Sequence, residues 1–196
     1  TRRTLETVYF DTADFALRRA GAVLRVRRDG TRYVQTVKSR GRGAALQRRE
    51  EIETPLAGAL PDLARLPREF PVTAAEKLEP VFTTRIDRVV RKVEGIEVAF
   101  DTGEIRTPHG VIERISEVEF ELKSGSPRDV FVLALALADS APVALETRTK
   151  SERGYLLAGA EGAGATSAEP LALEKGASTG EAVAAILRHC LDHLTA

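Results

Sequence analysis

Three glutamates, Glu117, Glu119 and Glu121, alternate with the large apolar residues Val118 and Phe120. A β-strand points alternate residues to opposite faces, so the three carboxylates are predicted to share one face. Same-face neighbours on a strand lie about 7 Å apart, and at that distance two enclosed carboxylates repel by about 2 kcal/mol. Either water or a cation must therefore face them. The two alternatives are the solvated face of an edge strand and a cation site.

Charged residues also recur at alternate positions in the other predicted strands. Arg25 and Arg27 share one face of a strand that the Asp29-Gly30 turn joins to the next strand, which ends near Lys38. The residues predicted to share one charged surface are Arg25, Arg27, Lys38, Arg49 and Arg85 with Glu51, Glu53, Asp101, Glu117, Glu119 and Glu121. Arginine and lysine bind phosphate oxygens, while hard cations prefer carboxylates. The pattern therefore predicts a polyanion site that uses divalent cations.

An α+β fold dominated by antiparallel strands is predicted to position these residues. The alternation predicts strands over residues 6–10, 22–28, 32–38, 47–53, 78–92, 96–100, 113–123 and 143–147. Helices are predicted over 15–20, from 127 to about 138, and over 179–194, with a turn or short helix over 150–157. Strands with one apolar and one charged face form either a sheet with one wet side or a barrel with a polar interior. The chain length and the placement of the helices favour the barrel.

The composition excludes several classes of protein. The 196 residues contain 29 Lys and Arg and 29 Asp and Glu, so no net field favours nucleic acid or an anionic membrane. A single cysteine excludes an internal disulfide framework, and the longest apolar run is too short to cross a bilayer. We therefore expect a cytoplasmic protein. Methionine is absent even at position 1, which leads us to expect structured sequence before Thr1.

A set of ordered motifs resembles the CYTH domains, or triphosphate tunnel metalloenzymes, and among them the bacterial inorganic triphosphatases. The motifs are Tyr9-Phe-Asp-Thr12, Leu24-Arg-Val-Arg27, Gln35-Thr-Val-Lys38, Arg49 to Glu53, Thr83-Thr-Arg85, Glu117 to Lys123 and Thr149-Lys-Ser-Glu-Arg-Gly-Tyr155. The resemblance spans residues 4 to 158. It implies an antiparallel eight-stranded tunnel with a polar interior and flanking helices.

The resemblance also implies roles for individual residues. The residues expected to bind the phosphates of a triphosphate are Arg25, Arg27, Lys38, Arg49, Arg85 and Lys150. The residues expected to hold Mg²⁺ or Mn²⁺ are Glu117, Glu119, Glu121 and Asp101, although Asp101 could instead simply end a strand. No general base is indicated, and no Ser-His or Cys-His arrangement supports covalent catalysis.

The two ends of the chain depart from a complete CYTH domain. The family's Glu-x-Glu-x-Lys strand does not occur, so the first strand is expected to be missing from this sequence. Residues 1–158 are predicted to be the tunnel domain and 159–177 a flexible linker. Residues 178–196 resemble the first helix of a CHAD domain, a helical module associated with polyphosphate. Their apolar stripe predicts a helical partner domain or self-association.

Three functions are consistent with these features. The first is metal-dependent hydrolysis of inorganic triphosphate. The second is another reaction of the same family, either adenylate cyclisation or hydrolysis of thiamine or nucleoside triphosphates. The third is a non-catalytic module that binds polyphosphate.

Overall fold

The computed structural model describes residues 1–39, 50–68, 70–71, 77–160 and 170–194. The strands are β1 (Arg2–Asp11), β2 (Ala22–Asp29), β3 (Arg32–Ser39), β4 (Glu50–Leu56), β5 (Glu79–Val93), β6 (Ile96–Arg106) and β7 (Ile112–Leu122). The helices are α1 (Ala16–Arg19), α2 (Pro127–Ser140), α3 (Lys150–Leu157) and α4 (Thr179–Leu194), with a 3-10 helix over Leu63–Arg65.

The seven strands form one sheet in the order β4-β3-β2-β1-β5-β6-β7. The pairs of strands from β3 to β7 along this order are antiparallel. The predicted α+β class is confirmed. Within the described residues β4 and β7 are the two edges, so the sheet is not closed into a barrel there.

One predicted strand is wrong. Residues 143–147 form no strand in the structure, and Val143 and Leu145 are both exposed, Leu145 to 88%. In a strand these two side chains would point to the same face, and no element that the structure describes covers that face. Apolar alternation specifies a strand only when one face is buried, and that condition is not met here.

A tight hairpin fixes the register between β5, which carries Arg88, and β6, which carries Asp101. Glu94 and Gly95 both have positive φ, 45° and 84°, as a two-residue hairpin turn requires. The turn pairs Val93 with Ile96, and the register then runs without a shift to Thr83 and Arg106. Because directly paired residues point to the same side, this register determines which charges meet.

The sheet has a hydrophobic core on each face. On one face, Phe10, Leu17 of α1, Leu24 and Val37 are buried with Phe70. On the other face, Leu5, Tyr9, Phe82, Ile86, Ile105, Ile115 and Tyr155 of α3 are buried together. We call the second face the site face, because by the pairing register it also carries Arg25, Arg27, Arg88, Asp101, Glu117 and Glu119.

Helix α3 packs closely against the sheet. Thr149 caps its N-terminus in a capping box with Glu152. Gly154 lies against the ring of Phe82, where an added Cβ would be 2.1 Å from Phe82 Cε2. The hydroxyl of Tyr155 donates to Asp11 Oδ2 at 2.9 Å, and Asp11 is fully buried. These contacts fix α3 and therefore the position of its first residue, Lys150.

Helix α2 covers part of the opposite face. Ser126 caps it in a second capping box, and Leu133 and Leu137 face Val98 and Phe120 across an apolar cleft of about 360 Å³.

The chain divides into two compact units. The first contains residues 1–39 and 51–160, and the second contains residues 40–50 and 161–196. Among the described residues, no helix is both long enough and apolar enough to span a membrane.

Candidate functional site

Three carboxylates meet on the site face where β6 pairs with β7. Asp101 pairs directly with Glu117, and Ala99 pairs with Glu119, so all three side chains point to the same side. One oxygen from each carboxylate lies within 4.8 Å of the others. Asp101 is fully buried, while Glu119 is nearly half exposed. We call Asp101, Glu117 and Glu119 the acidic cluster.

The ammonium group of Lys150 contacts all three carboxylates of the acidic cluster. Its Nζ lies 2.8 Å from Asp101 Oδ2 and 2.6 Å from Glu119 Oε1, and it also forms an ion pair with Glu117 Oε1. Lysine has three N–H donors, so each carboxylate can accept one. Only 13% of the Lys150 side chain is exposed.

Two arginines bind the remaining oxygens of the acidic cluster. Arg88 donates from Nε and Nη2 to the two oxygens of Asp101, at 2.7 and 2.6 Å, and from Nη2 to Glu119 Oε2 at 2.6 Å. Arg153 donates to Glu117 Oε2 at 2.8 Å and to Glu113 at 2.7 Å. Fork-shaped guanidinium contacts of this kind fix carboxylate orientation. Arg88 and Arg153 therefore set the direction in which the other oxygens point.

The ion pairs favour the charged forms of Asp101, Lys150 and Arg88. Burial acts to raise the pKa of Asp101, but hydrogen bonds from Arg88 and Lys150 outweigh it and the pKa is lowered. Burial acts against the charged form of Lys150, but the charge of Glu119 and hydrogen bonds to Asp101 and Glu117 raise its pKa. The hydrogen bond to Asp101 raises the pKa of Arg88. Asp101 is therefore ionised at neutral pH.

The donor set of the acidic cluster fits a hard divalent cation. Mg²⁺ and Mn²⁺ prefer carboxylate oxygens, and Mg²⁺ is usually bound by one or two carboxylates together with water and phosphate oxygens. Asp101, Glu117 and Glu119 each offer one oxygen toward a common point. They are the residues that would hold the metal.

Basic residues occupy the part of the site face formed by β2 and β3. Arg25 Nη2 donates to Glu51 Oε1 at 3.0 Å, and Lys38 Nζ lies 2.8 Å from Glu51 Oε2. Arg27 Nε donates to Thr7 Oγ1 at 3.3 Å. Burial and the charge of Arg25 lower the pKa of Arg27, but an arginine stays protonated in a protein. We call Arg25, Arg27 and Lys38 the basic cluster.

Arg25 has an unused donor. Its Nε is buried and has no hydrogen-bond partner among the described residues, although the side chain is only 11% exposed. A buried charged donor without a partner is costly, and a bound ion is one of the ways in which such a donor is satisfied. An anion bound at the basic cluster could accept this bond.

The structure brings together most of the residues predicted for the site, but not all. Asp101, Glu117, Glu119 and Lys150 form one cluster, and Arg25, Arg27 and Lys38 lie on the same face of the sheet. Glu121 shares that face but pairs with Glu97 and contacts Lys123, so it lies outside the acidic cluster. Arg49 lies outside the described residues.

The predicted convergence of Arg85 with the basic cluster is wrong. Arg85 pairs with Glu6, whereas the adjacent residues Thr7 and Thr84 pair with each other on the site face. Arg85 therefore points to the opposite face, where its side chain is 70% exposed and lies 4.0 Å from Glu6. The physical reason is that the site face of β5 is apolar at this end, with Phe82 and Ile86 in the core.

Two functional residues were missed by reasoning from the sequence. Arg88 follows Phe82, Thr84 and Ile86 at alternate positions of β5, so its side of the strand looks mainly apolar in the sequence. The usable signal was the β5–β6 turn at Glu94-Gly95, which places Arg88 opposite Asp101. For Arg153 the signal was its spacing of one helical turn from Lys150.

Comparison with known proteins identifies the family. The family model of the CYTH domain matches residues 1–155. The chain belongs to the CYTH domain family. An inorganic triphosphatase from Haemophilus influenzae is 35% identical over 162 residues, which cover 78% of this chain and 46% of that protein. The chain thus spans about half the length of this curated relative.

Two solved structures are similar to this chain in fold. A candidate adenylate cyclase from Bacillus halodurans is 18% identical with a TM-score of 0.58, covering 78% of this chain and 82% of that one. A candidate adenylyl cyclase from Hippeastrum, reported to have a dominant triphosphatase activity, is 17% identical with a TM-score of 0.54. That alignment covers 82% of this chain and 84% of the Hippeastrum chain. At these identities the likeness concerns the fold alone.

Proposed function

We propose that this CYTH domain hydrolyses inorganic triphosphate with the help of Mg²⁺ or Mn²⁺. The observation that carries the proposal is the presence of an acidic and a basic cluster on one face of the sheet. Asp101, Glu117 and Glu119 converge on a common point, and the basic cluster includes Arg25, whose buried Nε has no hydrogen-bond partner among the residues that the structure describes. The 35% identical inorganic triphosphatase supports the choice of substrate.

The basic cluster binds the phosphates, and the acidic cluster binds the metal. Arg25, Arg27 and Lys38 bind phosphate oxygens by charge-assisted hydrogen bonds and align the chain of phosphates. Asp101, Glu117 and Glu119 hold the metal, with Arg88 and Arg153 orienting them. A bound metal would neutralise charge on the transferring phosphoryl group and orient the attacking water. No residue is assigned as a general base.

Phosphate release tests the reaction and its substrate. The protein is incubated with tripolyphosphate, ATP or thiamine triphosphate, each with Mg²⁺ or Mn²⁺ and with EDTA as the control. We expect metal-dependent release of orthophosphate, fastest from tripolyphosphate. Formation of cyclic AMP from ATP would instead identify a cyclase, and metal-independent binding of tripolyphosphate without release would identify a binding module.

We also propose that α4 begins a separate helical domain in the whole protein, of the CHAD type, in a cytoplasmic enzyme. The support is the apolar stripe of this helix, in which Val183, Ile186 and Leu187 are each exposed by 42–58%. A stripe of that size needs a partner. In the absence of such a domain we expect it to promote self-association.

A further inference from the structure

The contacts of Lys150 have the geometry of an ion and its ligands. Its Nζ meets one oxygen from each member of the acidic cluster: Asp101 Oδ2, Glu117 Oε1 and Glu119 Oε1. Glu117 and Glu119 each give their other oxygen, Oε2, to an arginine. The glutamate oxygens that face Lys150 are thus the ones that no arginine binds, and they converge with Asp101 Oδ2, which Lys150 shares with Arg88.

That point is also where a divalent cation held by the acidic cluster would lie. The three atoms that contact Nζ belong to the one group of residues in the described chain that could hold a metal. A lysine ammonium and a metal ion cannot occupy the same position. We propose that Lys150 occupies the metal position while no metal is bound, and that an entering metal displaces it toward the phosphates of the substrate. This inference rests on the proposed function of the site.

The side chains differ in how easily they can move. Lysine has a flexible stem and a single charged atom at its end, whereas the planar fork of arginine is fixed by paired bonds. Arg88 makes three hydrogen bonds to the acidic cluster, and Arg153 is shared between Glu117, Glu113 and the carbonyl of Arg114. Lys150 can therefore leave while both arginines keep the carboxylates oriented.

Displacement of Lys150 couples the binding of metal to the binding of substrate. Without a triphosphate, a metal must break the ion pairs of Lys150 and leave a partly buried ammonium without an anion, which weakens metal binding. With a triphosphate present, the released ammonium gains a phosphate partner. Each ligand therefore raises the affinity for the other, as linkage requires. Lys150 is then a residue that makes the site bind metal together with substrate.

The test is calorimetric titration with Mn²⁺ alone, without any phosphate. Lys150→Met removes the competing ammonium and should bind Mn²⁺ about tenfold more tightly than the parent. Lys150→Arg keeps the charge and should bind no more tightly than the parent. Lys175→Met removes one positive charge from the second compact unit and should leave the affinity unchanged.

Tighter Mn²⁺ binding by Lys150→Met alone would support the proposed displacement of Lys150. Equal or weaker Mn²⁺ binding by Lys150→Met, or an equal gain in Lys175→Met, would overturn the proposal. If Lys150→Met unfolds because its carboxylates repel, circular dichroism should show Mn²⁺ restoring the fold, and failure of that rescue would count against the proposal. Because no substrate is present, a negative result leaves triphosphate hydrolysis to be judged separately by phosphate release.

Discussion

Each glutamate of the acidic cluster divides its oxygens between two kinds of cation. Glu119 gives one oxygen to Lys150 and the other to Arg88, and Glu117 is shared in the same way between Lys150 and Arg153. Four acceptor oxygens would repel strongly without these donors. The arginines therefore allow carboxylates to be held close together before any metal binds.

A pair of arginines on opposite faces of the sheet tests the residue assignments. Arg25→Ala removes a buried cation of the basic cluster, so it should weaken tripolyphosphate binding by about 1.5–3 kcal/mol, the range for a charged hydrogen bond. Arg85→Ala makes the same change on the opposite face and should leave binding unchanged. Fluorescence or calorimetric titration gives both values. A larger loss with Arg85→Ala would contradict the face assignment.

Glu51 makes the stability of the domain sensitive to acid. Burial acts to raise the pKa of its carboxyl, but the hydrogen bond and charge of Lys38 and the charge of Arg25 outweigh burial and lower it from 4.5. A lowered pKa in the folded state stabilises the fold above the unfolded pKa, and the contribution is lost as the pH falls through the folded value.

The corresponding prediction uses Glu51→Gln. The parent should unfold at a higher urea concentration than the variant at pH 7, and the difference should shrink as the pH is lowered below about 4.5. Urea titrations at pH 7 and pH 3.5 measure it. A difference that stays constant with pH would show that the charge of Glu51 does not stabilise the fold.

Helix α3 is short, but it contributes residues both to the candidate site and to the hydrophobic core. It supplies Lys150 and Arg153 to the acidic cluster and Tyr155 to the core. Its position depends on a small residue, since Gly154 rests on the buried ring of Phe82. Phe82 in turn stacks on Tyr9 at 4.3 Å between ring centroids, so the ring has little freedom to yield.

Gly154→Ala should therefore displace α3 and lower the stability of the domain by about 1–3 kcal/mol, the usual cost of overpacking. Gly180→Ala is the matched control, because this glycine is also helical and an added Cβ meets nothing within 4 Å. In that helix the alanine should be neutral or stabilising. Thermal unfolding compares the two. Equal melting temperatures for the parent and Gly154→Ala would contradict the close packing of α3.

The elements were predicted better than the direction of individual strands. Hairpin turns and caps are local signals, so β2, β3, α2 and α4 follow from the sequence. Which face of β5 points to the site depends on its pairing with β1 and β6, and that is a property of the whole sheet. Arg85 was therefore predicted for the site, whereas Arg88 was not.

The whole chain combines the CYTH unit with a second compact unit. The CYTH match ends at residue 155, and the first compact unit ends at Ala160. Because a balanced net charge gives no overall field, the proposed binding of a polyanion would depend on local separation of charge on the site face. Composition alone could therefore exclude functions but could not locate the site.

Deletion of residues 161–196 tests this division. The acidic and basic clusters lie in the first compact unit, so the shortened protein should bind Mn²⁺ and tripolyphosphate with affinities within about twofold of the parent. Loss of the exposed apolar stripe of α4 should also reduce self-association, which light scattering measures. A shortened protein that no longer folds or binds would show that the second unit belongs to the domain.

The most direct test of the central claim is the rate of tripolyphosphate hydrolysis as a function of Mn²⁺ concentration in two matched variants. Glu119→Gln removes one carboxylate from the acidic cluster, while Glu104→Gln removes one on the opposite face, where it pairs with Arg106. We expect Glu119→Gln to lose at least about 100-fold in rate and not to recover at saturating Mn²⁺. Glu104→Gln should keep the parent rate. Full activity of Glu119→Gln at saturating Mn²⁺ would contradict a metal role for the acidic cluster.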